Sequence, residues 1–120
     1  MAIAVQRIYA REYAASEADF RVLVDRLWPR GVSKERAHLD LWLKDAAPSA
    51  DLRKWFGHRW DRWETFKSRY IRELELKDDF LFEPVVEHAE RGSVLLLYAA
   101  KDTRRNHAHI LKAYLDEHFG

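Results

Sequence analysis

Apolar and polar residues change their period several times along this chain, and each change marks an element. Ile3 and Val5 alternate with polar or small neighbours, which predicts a first strand running toward Tyr9. Arg7 falls on the same side as Ile3 and Val5, so either its guanidinium reaches the end of the sheet or the chain has left the sheet by then. A polar stretch from Ser16 to Asp19 separates this strand from Phe20-Arg21-Val22-Leu23-Val24, whose continuous apolar centre fits a strand covered on both faces. Ladder pairing should stop in Asp25-Arg26-Leu27-Trp28-Pro29-Arg30-Gly31, because Pro29 removes a donor and restricts Trp28 while Gly31 permits a turn closed to other residues. Ser33 can cap a short helix over residues 34–37. Residues 40–44 alternate weakly, and an edge strand and a helical turn compete there.

The second half is dominated by helical spacing. Ser49 can cap a helix carrying Leu52, Trp55 and Phe56, which Gly57 interrupts. Asp61-Arg62-Trp63-Glu64 then reads as a carboxylate relative of a capping box, ahead of an amphipathic helix with Trp63, Phe66, Tyr70 and Leu74 on one face. Leu81, Val85, Val86 and Ala89 predict another helix, with Pro84 in its first turn and Gly92 closing it. Residues 94–100 are short, apolar and bounded by Gly92 and Lys101-Asp102, the pattern of a buried strand feeding a polar loop. Ala108, Leu111, Leu115 and His118 can share the face of a last helix, broadened by Ile110 and Tyr114. Strand, strand, helices, strand, helix predicts a small α/β fold with a mostly parallel sheet flanked by helices, in two or three layers. With 120 residues and no repeat or low-complexity segment, residues 1–120 are expected to form a single compact domain.

Composition narrows the chemistry. The absence of cysteine rules out a disulfide framework, a thiolate nucleophile and a zinc–cysteine cluster. No apolar run resembles a signal peptide or a membrane span, so the expected location is cytoplasmic, with no membrane partner. Twenty acids against 21 bases give a formal charge of +1, and any argument for a polyanionic partner must rest on local distribution. Such an asymmetry exists. Arg53, Lys54, Arg59, Arg62, Lys67, Arg69 and Arg72 fall close together with only Asp61 and Glu64 between them, and Glu73, Glu75, Asp78, Asp79, Glu83, Glu87 and Glu90 follow. Trp55, Trp60 and Trp63 could stack on exposed bases, although helical spacing assigns such rings equally well to a core.

In an open α/β sheet, ligands bind beyond the carboxyl ends of parallel strands. Two polar loops satisfy that placement: Asp25, Arg26 and Arg30 after one strand, and Lys101, Asp102, Arg104, Arg105, Asn106 and His107 after another. If the two strands are adjacent and parallel, the loops form one pocket with five basic side chains against Asp25 and Asp102, suited to a phosphate, carboxylate or nucleotide. Arg26 and Arg30 could clamp an anion, with backbone N–H groups of Gly31-Val32-Ser33 turned toward it and Trp28 forming a wall. Arg–Asp pairing could equally lock a strand end. His107 is the proton-transfer candidate, oriented by Asp102 or Asp25, and a histidine at a helix start can equally pack against the sheet. His109, two residues on, points elsewhere, so no two-histidine metal clamp forms in the helix. Neither zinc nor calcium spacing occurs, and no glycine-rich phosphate loop or nucleophile elbow is present, so no metal or cofactor is expected.

Longer strings carry a resemblance. Val24-Asp25-Arg26-Leu27-Trp28-Pro29-Arg30-Gly31, Trp42-Leu43-Lys44, Ala47-Pro48-Ser49, Leu52-Arg53-Lys54-Trp55-Phe56-Gly57-His58, and Leu97-Tyr98-Ala99-Ala100-Lys101-Asp102 with Asn106-His107-Ala108 resemble the DUF488 family, in its YeaO-like branch, over nearly the whole chain. The resemblance implies a compact cytosolic α/β protein and brings no activity to transfer. The matched residues Asp25, Arg26, Arg30, Lys101, Asp102, Asn106 and His107 coincide with the loops chosen on physical grounds. An enzyme built on them would use Arg26 and Arg30 against developing negative charge and His107, oriented by Asp102, for proton transfer in phosphoester hydrolysis or related chemistry. The alternatives are a nucleic-acid binding module using the basic central segment and a structural or protein-interaction domain that exposes an apolar patch containing Trp residues. Nothing in the sequence fixes an oligomeric state.

Overall fold

The computed structural model describes residues 1–10 and 19–120, so the polar stretch at 16–18 lies outside the described residues. Four strands, β1 (Ile3–Arg7), β2 (Asp19–Leu23), β3 (Leu41–Trp42) and β4 (Ser93–Tyr98), form one sheet in the order β1-β4-β2-β3. All three pairings are parallel, with Val5 opposite Leu96 in β1–β4, Leu23 opposite Leu97 in β2–β4 and Leu23 opposite Trp42 in β2–β3. The two interior strands are those with continuous apolar centres, because a parallel strand covered on both faces has no solvent side on which to place polar residues.

Side-chain alternation divides the core in two. Val22, Val24, Val94, Leu96 and Tyr98 face one side of the sheet, where they meet Leu52 of α2 (Ala50–Phe56), Phe66, Tyr70 and Leu74 of α3 (Trp63–Glu75), Val85 and Ala89 of α4 (Glu83–Arg91), and Ala108, Leu111 and Leu115 of α5 (His107–Phe119). Leu23, Leu95 and Leu97 face the other side, covered by Ile8, Val32, Leu39, Trp28, Trp42 and Ala37 of the one-turn helix α1 (Lys34–Ala37). The four longer helices thus share one face. Each fully buried Leu or Val there contributes about 1.5–3 kcal/mol through removal from water.

Most helix boundaries follow local chemistry. Ser33 Oγ accepts from the Arg36 N–H and Ser49 Oγ from the Leu52 N–H, as expected of N-caps. Gly57 closes α2 in the left-handed region at φ 50°. Pro84 sits in the first turn of α4, and Gly92 ends that helix. Residues 40–46 satisfy both competing readings in succession, first as edge strand β3 and then as a 3-10 turn over Lys44–Ala46.

Other details differ from the sequence pattern. Asp61 does not cap α3; a 3-10 turn over Trp60–Arg62 leads into the helix, and the Asp61 carboxylate instead accepts from Arg59 at 3.2 and 3.3 Å. A charged guanidinium two residues away is a stronger donor for the carboxylate than a backbone N–H. His118 is exposed rather than on the buried face of α5, where it lies 3.1 Å from Asp79 and stacks on Tyr114. Ladder structure ends at Arg7 and Tyr98, two residues short of each expected strand end. Arg7 takes the first of its two readings: Nε donates to Ala100 O at 3.0 Å and to Ala99 O at 3.3 Å, so its charge lies at the sheet end.

Candidate functional site at the strand ends

The condition for a joint site is met in backbone terms, since β2 and β4 are adjacent and parallel. Val24 N–H extends the ladder to Leu97 O at 3.0 Å. Beyond it the Asp25 side chain takes over, with Oδ2 accepting from the Ala99 N–H at 2.9 Å. Trp42 Nε1 donates to Asp25 O at 2.7 Å, which ties the same residue to β3. Asp25 therefore fastens three neighbouring strand ends after the ladder has stopped.

His107 enters from α5. Asn106, 4% exposed, caps that helix by accepting from the His109 N–H, and its Nδ2 donates to Asp102 O at 2.9 Å. Both roles make Asn106 a buried cap of this helix. The cap aims the first helical side chain at the sheet end, where His107 Nε2 lies 3.0 Å from Val24 O and 3.2 Å from Asp25 Oδ1. Both neighbours are acceptors, so Nε2 carries a hydrogen. The hydrogen bond goes to Val24; among the described residues Asp25 Oδ1 is buried without a hydrogen-bond partner, and it meets His107 as an electrostatic contact. The two side chains are 15–16% exposed. Tyr70 completes the cluster, edge-on to the His107 ring at 6.1 Å with its hydroxyl donating to Ala46 O at 2.6 Å. Burial, followed by the charges of Glu73 and Asp25, pushes its phenol well above the ordinary tyrosine range.

Asp25, rather than Asp102, is thus the carboxylate beside His107. Asp102 shapes its own loop: Oδ1 accepts from the Arg104 and Arg105 N–H groups at 2.9 and 2.8 Å. Those backbone bonds, Arg105 first, hold its carboxyl below the usual range. Arg26 is also engaged, with Nε donating to Pro48 O at 3.2 Å and Nη2 reaching Ala47 O at 3.5 Å, so it staples the β2 end to the chain before α2. Of the two arginines expected to clamp an anion, Arg26 is thus hydrogen-bonded to backbone carbonyls. Among the described residues, the side chains of Arg30, Lys101 and Arg104 donate to no protein group, and all three are exposed. Gly31 turns the loop at φ +76°, but the Val32 N–H is directed to Pro29 O at 3.4 Å and α1 is a single turn. Trp28 braces the loop from below, its Nε1 donating to Val32 O at 2.6 Å and its ring edge-on to Trp42 at 5.4 Å.

Tyr70 and the Ala46–Pro48 carbonyls escaped the sequence reading. Tyr70 looked like any apolar-face residue of α3, and backbone carbonyls carry no sequence signal. The basic central segment is also arranged in a way spacing could not show. Trp63 packs on Phe66 at 5.5 Å within the core cluster, Trp55 lies against the guanidinium groups of Arg69 and Arg62, and Trp60 alone of the five tryptophans is exposed. The interaction-domain alternative, which expected several tryptophans in a surface patch, therefore finds only one. Among the described residues no helix is long and apolar enough to cross a membrane.

Comparison with known proteins fits this arrangement into a lineage. The sequence model of the "Inactive DUF488-N3 subclade" matches residues 2–120. The uncharacterized protein YeaO of Escherichia coli is 37% identical over 115 residues, covering 96% of this chain and 97% of its own. The uncharacterized protein Rv3073c of Mycobacterium tuberculosis is 38% identical over 96 residues, 80% of each chain. No solved structure matches. With a match from the second residue to the last and the strand-end strings in place, the chain belongs to the DUF488 family, in its YeaO-like branch.

Proposed function

We propose that this protein binds a phosphate-bearing or otherwise anionic small ligand at the carboxyl ends of β2 and β4, and that it does not turn the ligand over. The observation that carries the reading is the division of labour among the strand-end cations. Arg26 is committed to two backbone carbonyls, whereas among the described residues the side chains of Arg30 on one loop and of Lys101 and Arg104 on the other have no hydrogen-bond acceptor, beside adjacent strand ends. Unshared guanidinium and ammonium groups at such a crevice suit an oxyanion.

Two points favour binding without turnover. The His107 ring nitrogen that faces the strand ends, Nε2, is engaged with Val24 O and so serves to anchor the fold there. The matched subclade is also described as inactive. In this reading Asp25 and His107 fix the geometry of the strand ends and the exposed cations make the contact.

Calorimetric titration with inorganic pyrophosphate tests the proposal. Arg30→Ala and Lys101→Ala should each weaken binding by about tenfold, the scale of one charge-assisted hydrogen bond. Unchanged affinity in both folded variants, or no binding by the parent protein, would reject the site.

A further inference from the structure

Two basic stretches that the sequence keeps apart become one surface in the fold. Arg105 Cζ lies 4.3 Å from the centroid of the Trp60 ring, which joins the loop after β4 to the turn before α3. Trp60 meets Phe56 at 5.4 Å, and next to Phe56 in the chain the Trp55 ring carries Arg69 at 4.3 Å and Arg62 at 4.9 Å. Arg62 also donates to Trp55 O, so its position is fixed from two sides. Arg72, three residues beyond Arg69, borders with Trp55 a groove of ≈520 Å³ whose other walls include Leu52 and Asp51. Glu73 lies in the same groove, but Ser49 occupies both its oxygens, through N–H at 2.8 Å and Oγ at 2.6 Å.

We propose that this continuous face is a track for single-stranded nucleic acid, running from the groove at Trp55 past Trp60 to the loop of Lys101 and Arg104. The inference rests on the strand-end reading at one end only, where the loop cations would take a backbone phosphate in place of a free anion. Arg62 and Arg105 also have protein partners, Trp55 O and Asp102, whereas Arg69 is held over the Trp55 ring, where a guanidinium keeps N–H donors that suit phosphate oxygens. Trp60, 38% exposed, offers ring surface to an unpaired base in the middle of the track. A duplex keeps its bases stacked on one another and makes no use of that ring. Seven of the 20 acids fall between Glu73 and Glu90, after the basic stretch, and of the acids at the groove Glu73 is engaged by Ser49, so a formal charge of +1 still leaves a local excess of bases along the track.

Fluorescence anisotropy with a labelled oligothymidylate of about 12 nucleotides, over about 50–200 mM salt, tests the track. Affinity should fall steeply with salt. The double variant Arg69→Ala/Arg72→Ala should weaken binding at least about tenfold at the lowest salt and flatten the log–log salt slope by about 1.4, or about 0.7 for each phosphate that is no longer neutralised. Trp60→Leu should weaken binding about tenfold with the slope unchanged, and Trp60→Phe should retain most of the affinity. Lys67 is the control, because it sits on the same helix about 160° around from Arg69; Lys67→Ala should change affinity by less than about twofold.

An equal loss in Lys67→Ala, equal affinity for duplex and single strand, or no binding at the lowest salt would each overturn the track. The pyrophosphate titration separates the two proposals. Pyrophosphate binding sensitive to Arg30→Ala without oligonucleotide binding leaves the strand-end site standing alone, and absence of both removes both.

Discussion

Removing the Asp25 side chain tests the strand-end architecture most directly. Asp25→Ala deletes the acceptor of the Ala99 N–H and the carboxylate facing His107, both in a place where water has little access. A hydrogen bond to a charged acceptor contributes about 1.5–3 kcal/mol, and leaving the Ala99 N–H with little access to water and no acceptor costs about 1–3 kcal/mol. With 15% of the side chain still reached by solvent and His107 retaining its bond to Val24 O, a loss of about 2–4 kcal/mol is expected. For a chain of this size that corresponds to a fall in Tm of roughly 6–16 °C. Asp25→Asn should recover only part of it, because its amide would present a donor toward the Nε2 hydrogen. Urea unfolding followed by tryptophan fluorescence measures the loss, and a constant m value confirms that the unfolded state is unchanged. The cycle with His107→Ala isolates the pair: coupling of about 1–3 kcal/mol is expected. A loss below about 1 kcal/mol, or additivity within about 0.5 kcal/mol, would refute the view that this pair fastens the strand ends.

Two further outcomes follow from the same neighbourhood. Tyr70 titrates near 10 when unfolded and well above that when folded, so its contribution is complete below about pH 10 and is lost as pH rises toward the folded value, at up to about 1.4 kcal/mol per pH unit. Tyr70→Phe should cost about 1–3 kcal/mol at pH 8 by orphaning Ala46 O, yet show a shallower decline between about pH 10 and 11; equal slopes in urea midpoints would contradict this. Asn106→Ala should destabilise by about 1–2 kcal/mol through the lost cap of α5, with Asn106→Asp restoring much of it, and a thermal midpoint unchanged in the alanine variant would show that the cap is dispensable.

The sequence by itself determined the class of fold, because parallel interior strands must be apolar throughout and amphipathic helices must repeat at three and four residues; residues 20–24, 94–100 and the Trp63-to-Leu74 face carry those constraints locally. Caps at Ser33 and Ser49 were legible for the same reason, since a side chain and the N–H it serves lie three residues apart. The sequence also located the polar loops that follow β2 and β4. It could not assign partners within them, because pairing there joins residues far apart in the chain. Only the tertiary structure decided that His107 meets Asp25 across 82 positions and leaves Asp102 to shape its loop, that Arg26 spends its donors on Ala47 and Pro48, and that Arg105 reaches Trp60. Each of those choices is a competition among neighbours for one charged group. The winner is set by distance and desolvation, which exist only once the strand ends have been brought together.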